Sequence, residues 1–232
     1  MSEPLALVMI PGLACTRALF AAQREALAAH RPVVVARVDG GDSMAAMAGA
    51  ILASAPPRFH LAGLSMGGYI ALEILRQAPE RVARLCLMDS SARPDTPDKT
   101  ALRQAALAEV EAGRYMQMSA ENVALSVAAS RADDHALRAA ILDMARATGA
   151  GLWRRQMRAI MGRPDSRPDL PAIRARTLVL VGDEDRLTPP EHAREMAAAI
   201  PDARLEVIAD CGHMSSMERP GAVSRLLADW LT

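Results

Sequence analysis

Residues 59–75 read FHLAGLSMGGYIALEIL, an apolar run joined to an amphipathic one through a serine set among glycines. The run 59–62 has the character of a buried strand, and 66–78 that of a helix stopped by Pro79. Gly63, Ser65 and Gly67 between them spell G-x-S-x-G, and Gly68 adds a further small residue. A tight strand-to-helix turn holds its serine in a strained conformation, which only small neighbours accommodate. It also exposes that serine at a helix N-terminus, where backbone N–H groups favour developing negative charge. Ser65 is therefore a candidate nucleophile.

The pattern around this segment repeats the same alternation. Strand-like runs at 5–10, 33–38, 85–88, 177–181 and 205–208 are mostly apolar rather than alternating, as expected of a parallel sheet buried on both faces. Helical patterns at 19–29, 43–53, 190–200 and 222–230 fill most of the gaps. The expectation is an α/β fold, a parallel sheet with helices on both faces. The interval 93–169 breaks the alternation: it is too long for one crossover and contains no convincing strand. It is expected to be a helical cap inserted into a core made of 1–92 and 170–232. Thr96 followed by Pro97 marks the start of one cap helix, and Gly113 its end. Asp133 is the expected cap of a second, with Leu137, Ile141 and Met144 on one face before Gly149. A third carries Trp153, Met157, Ile160 and Met161 and stops at Gly162.

A serine hydroxyl is a weak nucleophile at neutral pH, so Ser65 needs a base, and the base needs an orienting acid. The fifth strand runs into GDEDRLTPP and delivers Asp183, Glu184 and Asp185 just past its end. The sixth runs into DCGHMSSMERP and delivers His213. His30, His60, His135 and His192 lie at a helix end, a strand start or on charged helices, so His213 alone follows the last strand's C-terminal edge. Asp89, in LMDSSA after the fourth strand, is a second possible acid. A zinc site at Cys211 and His213 lacks further ligands at suitable spacing.

Composition narrows the partners. Among 232 residues, 27 Lys and Arg balance 27 Asp and Glu, so no global positive field attracts nucleic acid or an anionic membrane. The few aromatics, Phe20, Phe59, Tyr69, Tyr115, Trp153 and Trp230, are too scattered for a base-stacking platform. Cys15, Cys86 and Cys211 form no disulfide or zinc pattern, and a reducing compartment is expected. MSEPLALVMIPG has no basic leader region, and charges interrupt every apolar stretch before the roughly 20 residues that span a bilayer. A soluble, cytoplasmic chain without a signal peptide, acting on a small and largely apolar molecule, is expected.

GLSMGG, GDEDRLTPPE, CGHMSSMERP and the opening IPGLA together resemble the alpha/beta-hydrolase superfamily, particularly its esterase and enol-lactonase-like members. The resemblance covers nearly the whole chain. It implies six parallel strands in the order second, first, third, fourth, fifth, sixth. It also implies that the acid is Asp185, the second aspartate of the G-x-x-D segment, although some relatives take theirs from the position of Asp89. The oxyanion of a tetrahedral intermediate would be held by the N–H groups of Leu13 and Met66. Two departures stand out: Pro11 occupies a position that is commonly histidine, and the antiparallel strand pair with which many relatives begin is missing. The implied activity is cleavage of a small ester, thioester or lactone, with no cofactor and no metal. Met116, Met118 and Met214 are candidates to line an adaptable acyl pocket. Lyase, acyltransferase or perhydrolase chemistry on the same residues, or a slow-turnover small-molecule receptor, are the alternatives. No motif speaks to oligomeric state or to the acyl and alcohol groups.

Overall fold

The computed structural model describes residues 4–232. The strands are β1 (Leu7–Ile10), β2 (Val33–Val35), β3 (Phe59–Leu64), β4 (Val82–Met88), β5 (Arg176–Gly182) and β6 (Ala203–Ile208). They form one parallel sheet in the order β2-β1-β3-β4-β5-β6, the order expected above. The central strands β1 and β3 are buried along their whole length, whereas the edge strands β2 and β6 are half open to solvent. Strand β2 is shorter than the expected 33–38, because pairing with β1 ends at Val35.

Helices α1 (Ala21–Leu27), α2 (Met44–Ser54) and α3 (Met66–Gln77) accompany the first half of the sheet. The stretch between β4 and β5 holds α4 (Pro97–Glu111), α5 (Tyr115–Ser126) and α6 (His135–Met161). After β5 come α7 (Pro190–Ala199), the short α8 (Ser215–Glu218) and α9 (Pro220–Trp230). Two core clusters lie on opposite faces of the sheet. One joins Val8, Ile10, Phe59, Leu61, Ile70 and Val179; the other joins Leu7, Met9, Leu64, Met88, Leu180 and Trp230. The alternation within each strand sends successive side chains to the two sides, and both are covered.

Thr96 caps α4 by accepting from the Lys99 N–H, with Pro97 at the first helical position. Gly149 adopts a positive φ of 72° and separates α6 into two helical pieces. Asp134, not Asp133, caps α6 through a 2.9 Å bond from the Leu137 N–H. Helix α5 was not anticipated: Arg114 precedes it with no side-chain cap, so its first turn carries no local start signal. A small core of Val110, Tyr115, Met118, Ala145, Trp153 and Met157 binds the three helices to one another.

Candidate active site

Ser65 sits between β3 and α3 with φ 56° and ψ −117°, a conformation that costs a non-glycine residue about 1–3 kcal/mol. Packing enforces it. A Cβ on Gly63 would fall 2.2 Å from the Gly67 carbonyl oxygen, and one on Gly67 would fall 2.0 Å from the Ile10 carbonyl oxygen. Only glycine allows the strand, the helix and the end of β1 to approach so closely. The Ser65 N–H donates to the Met88 carbonyl at 2.9 Å, and the Ser90 hydroxyl donates to the Ser65 carbonyl at 2.9 Å. Both bonds hold the turn from the β4 side.

The turn brings Ser65 Oγ to 2.8 Å from His213 Nε2, and His213 Nδ1 lies 2.8 Å from Asp185 Oδ2. The acceptor-only carboxylate takes the Nδ1–H, which leaves Nε2 free to accept the serine proton. Asp185 is itself fixed by the N–H groups of Leu187 and Thr188, at 2.9 and 3.0 Å, and by the Thr188 hydroxyl at 2.8 Å. Burial pushes the Asp185 carboxyl up, but the His213 imidazole and these hydrogen bonds outweigh it and hold the group below its ordinary range. Burial pulls His213 down, and the Asp185 charge and hydrogen bond outweigh that too, leaving the imidazole above its ordinary value. Of the other acids on this turn, Asp183 accepts from the Cys211 N–H at 3.1 Å and Glu184 from the Ala129 N–H at 2.9 Å.

Asp89 makes no hydrogen bond to His213. It lies fully buried at the end of β4, where it accepts from the Gly182 N–H at 3.0 Å and from the Ser215 hydroxyl. Burial, with the nearby Asp185 charge, pushes its carboxyl up to about 8, so at neutral pH it is mainly protonated. Asparagine would then copy both its shape and its charge state, and Asp89→Asn is expected to keep near-normal kcat at pH 7. Stability should move the other way. An unfolded aspartate ionises near 4 while the buried one holds its proton to about 8, so ionisation of the unfolded chain costs the native state increasingly across that window. The variant escapes this cost, and thermal melts from pH 5 to 8 should show its Tm advancing over wild type as pH rises. A margin that is flat with pH would contradict the assignment.

The loop after β1 lies directly against the serine. A Cβ on Gly12 would stand 3.3 Å from Ser65 Cβ and 3.3 Å from the Leu64 carbonyl oxygen. Leu13 follows in that loop, and its N–H donates to no other group among the described residues. Met66 is the first residue of α3, so its N–H has no acceptor within the helix. Met66 thus adjoins Ser65 in the chain, and Leu13 follows the glycine that packs against it. Met118 is buried in the α4–α6 core and Met116 packs against it, as does Leu13, while Met214 belongs to the core cluster that also holds Cys15 and Val127. Burial pushes the Cys15 thiol up to about 12 and raises those of Cys86 and Cys211, which keeps all three from acting as nucleophiles at neutral pH. No group of three or more His, Cys, Asp or Glu side chains converges on a metal position among the described residues, and no described helix is long and apolar enough to cross a membrane.

Two buried side chains at the site were not anticipated. Gln156, on α6, accepts from the Ala14 N–H at 3.2 Å and donates to the Val38 carbonyl at 3.3 Å, tying the loop after β1 to the helical interval. Glu218, the last residue of α8, accepts from the N–H groups of Gly212 and Met214 on either side of His213. Gln156 stands 142 residues from the Ala14 N–H, whereas Glu218 lies within the CGHMSSMERP stretch, four residues from Met214 and six from Gly212.

A family model described as alpha/beta hydrolase fold matches residues 42–220. The 2-hydroxy-6-oxo-6-phenylhexa-2,4-dienoate hydrolase of Comamonas testosteroni is 28% identical over 193 residues, which cover 75% of this chain and 63% of that protein. The pimeloyl-acyl-carrier protein methyl ester esterase of Aromatoleum aromaticum is 28% identical over 206 residues, 82% of this chain and 80% of that one. The chain thus spans less than two thirds of the Comamonas protein's length. Among solved structures, a thermophilic esterase from Thermogutta terrifontis superposes with a TM-score of 0.88 at 29% identity, covering 100% of this chain and 90% of that one.

Proposed function

The chain belongs to the alpha/beta hydrolase fold family, and on that premise we propose that it is a serine hydrolase cleaving a small carboxylic ester, thioester or lactone through an acyl-enzyme intermediate. The observation that carries this reading is the unbroken chain of contacts from Ser65 Oγ to His213 to Asp185, each link 2.8 Å. In the first half-reaction Ser65 Oγ attacks the carbonyl carbon while His213 Nε2 takes its proton. The developing oxyanion is held by the Leu13 and Met66 N–H groups, and Asp185 stabilises the imidazolium. The imidazolium then gives its proton to the leaving alkoxide or thiolate as the C–O or C–S bond breaks. In the second half a water molecule, deprotonated by the same nitrogen, attacks the acyl carbon; the bond from that carbon to Oγ then breaks as the imidazolium returns its proton to Oγ, releasing the carboxylic acid and free Ser65.

Residues 93–169 serve as a cap over a core formed by 1–92 and 170–232. Its α4–α6 core touches Leu13 and Ala14, and so Met116 and Met118 stand where an acyl chain would leave the oxyanion loop. Met214 would line the histidine side of the same site. The substrate is a small molecule; the chain needs no cofactor for the steps above.

A substrate panel tests the reading: esters of graded chain length, lactones, thioesters and the dienoate hydrolysed by the Comamonas relative, with products identified. Labelling by a fluorophosphonate runs in parallel. Hydrolysis of at least one class, with a label mapping to Ser65, is the expected result. Labelling without turnover would favour a receptor, and transfer to an acceptor other than water would favour acyltransferase or perhydrolase chemistry.

A further inference from the structure

Glu218 takes no part in the Ser65–His213–Asp185 chain, yet its buried carboxylate gathers backbone N–H groups from two separate segments. Gly212 N–H reaches both oxygens at 3.1 Å and Met214 N–H reaches Oε1 at 3.1 Å, so the residues on each side of His213 are both held. The third donor is Ala128 N–H, 2.8 Å from Oε2, in the connection between α5 and α6. The last residue of α5, where that connection begins, also holds the histidine directly, because the His213 N–H donates to the Ser126 carbonyl at 3.0 Å. The two segments are in contact: a Cβ on Gly212 would lie 2.6 Å from Ala128 N.

We propose that Glu218 is a positioning residue that fixes the His213 loop against the α5–α6 connection, so that the imidazole reaches Ser65 only while that connection is seated. The proposal rests on the reading of Ser65 and His213 as nucleophile and base. Hydrogen bonds to a charged acceptor are roughly twice as strong as neutral ones, and here one acceptor spans both sides of the base. A slip of about 1 Å between reacting groups costs a rate factor on the order of 10². The Glu218 charge acts on the imidazole as well. Burial lowers His213, Asp185 raises it most, and Glu218 adds to that rise.

Glu218→Gln keeps the shape but removes the charge, and its amide end must face the N–H of either Met214 or Ala128. Its kcat is expected to fall roughly 10- to 100-fold with little change in KM. The His213 ring signals, followed by NMR against pH, should titrate at lower pH than in wild type. Glu218→Asp, shorter but charged, should bring the titration back towards wild type while recovering only part of kcat. Ala128→Pro removes the third donor at a backbone position, φ −62° and ψ 156°, that proline accepts, with Val127 before it extended, and its Cδ displaces the Glu218 carboxylate that now lies 2.8 Å from the nitrogen. It should lower kcat, and it decides the positioning role if Glu218→Gln fails to fold. The proposal is overturned by wild-type kcat per fluorophosphonate-titrated site in Glu218→Gln, by an unmoved His213 titration in that variant, or by an Ala128→Pro protein of normal kcat. Should wild type hydrolyse nothing on the panel, the serine hydrolase reading fails separately, and the NMR titration still judges Glu218.

Discussion

Ser65→Ala is expected to abolish turnover, with kcat falling on the order of 10⁶-fold, the scale seen when a triad nucleophile is removed. Alanine keeps Cβ, so the strained backbone at φ 56° is neither relieved nor worsened, and the melting temperature should stay close to wild type. Only Oγ is lost, and with it the bond to His213 Nε2. Fluorophosphonate labelling should vanish together with hydrolysis. A variant that kept more than about a hundredth of wild-type kcat would show that water is activated directly and that no acyl-enzyme is needed, since the oxyanion donors and binding alone leave far less than that.

Asp185→Asn is expected to lower kcat on the order of 10⁴-fold. The amide would present N–H to His213 Nδ1, which must then accept, and the ring proton would move to Nε2, the nitrogen that has to take the proton of Ser65. The pH profile gives a second reading of the same change. His213 must be neutral to act as base, so wild-type kcat/KM rises with pH as the imidazole loses its proton, and Asp185 holds that limb above the ordinary histidine range. Without the carboxylate charge the limb should move to lower pH. Steady-state kinetics across pH 5 to 9 on Asp185→Asn and Asp89→Asn separate the two acids. An inactive Asp89 variant beside a near-normal Asp185 variant would reverse the assignment.

How much of this was legible before the coordinates depends on how far apart the interacting residues lie. The serine turn is a contiguous segment whose glycines, strand and helix all fall within residues 59–77, so its chemistry could be read directly. The strands were equally plain, because burial on both faces leaves them mostly apolar, with His60 and Arg84 near the starts of β3 and β4. Helix α5 was hidden because its first turn lacks a capping side chain, and the start of α6 was placed one residue early because Asp133 and Asp134 are chemically alike.

The amino-acid sequence by itself determined the parallel α/β architecture, the nucleophile turn and the order in which serine, acid and histidine follow one another, since strand periodicity, turn chemistry and chain order are local properties. Tertiary structure shows which of the two aspartates the His213 ring meets. Asp89 and Asp185 end neighbouring strands, and only the path of the histidine loop sends the ring to Asp185 and Ser215 to Asp89. It alone revealed Gln156 and Glu218 as well. Their hydrogen bonds join segments distant along the chain, and a buried polar atom takes its partner from whatever the folded chain brings beside it.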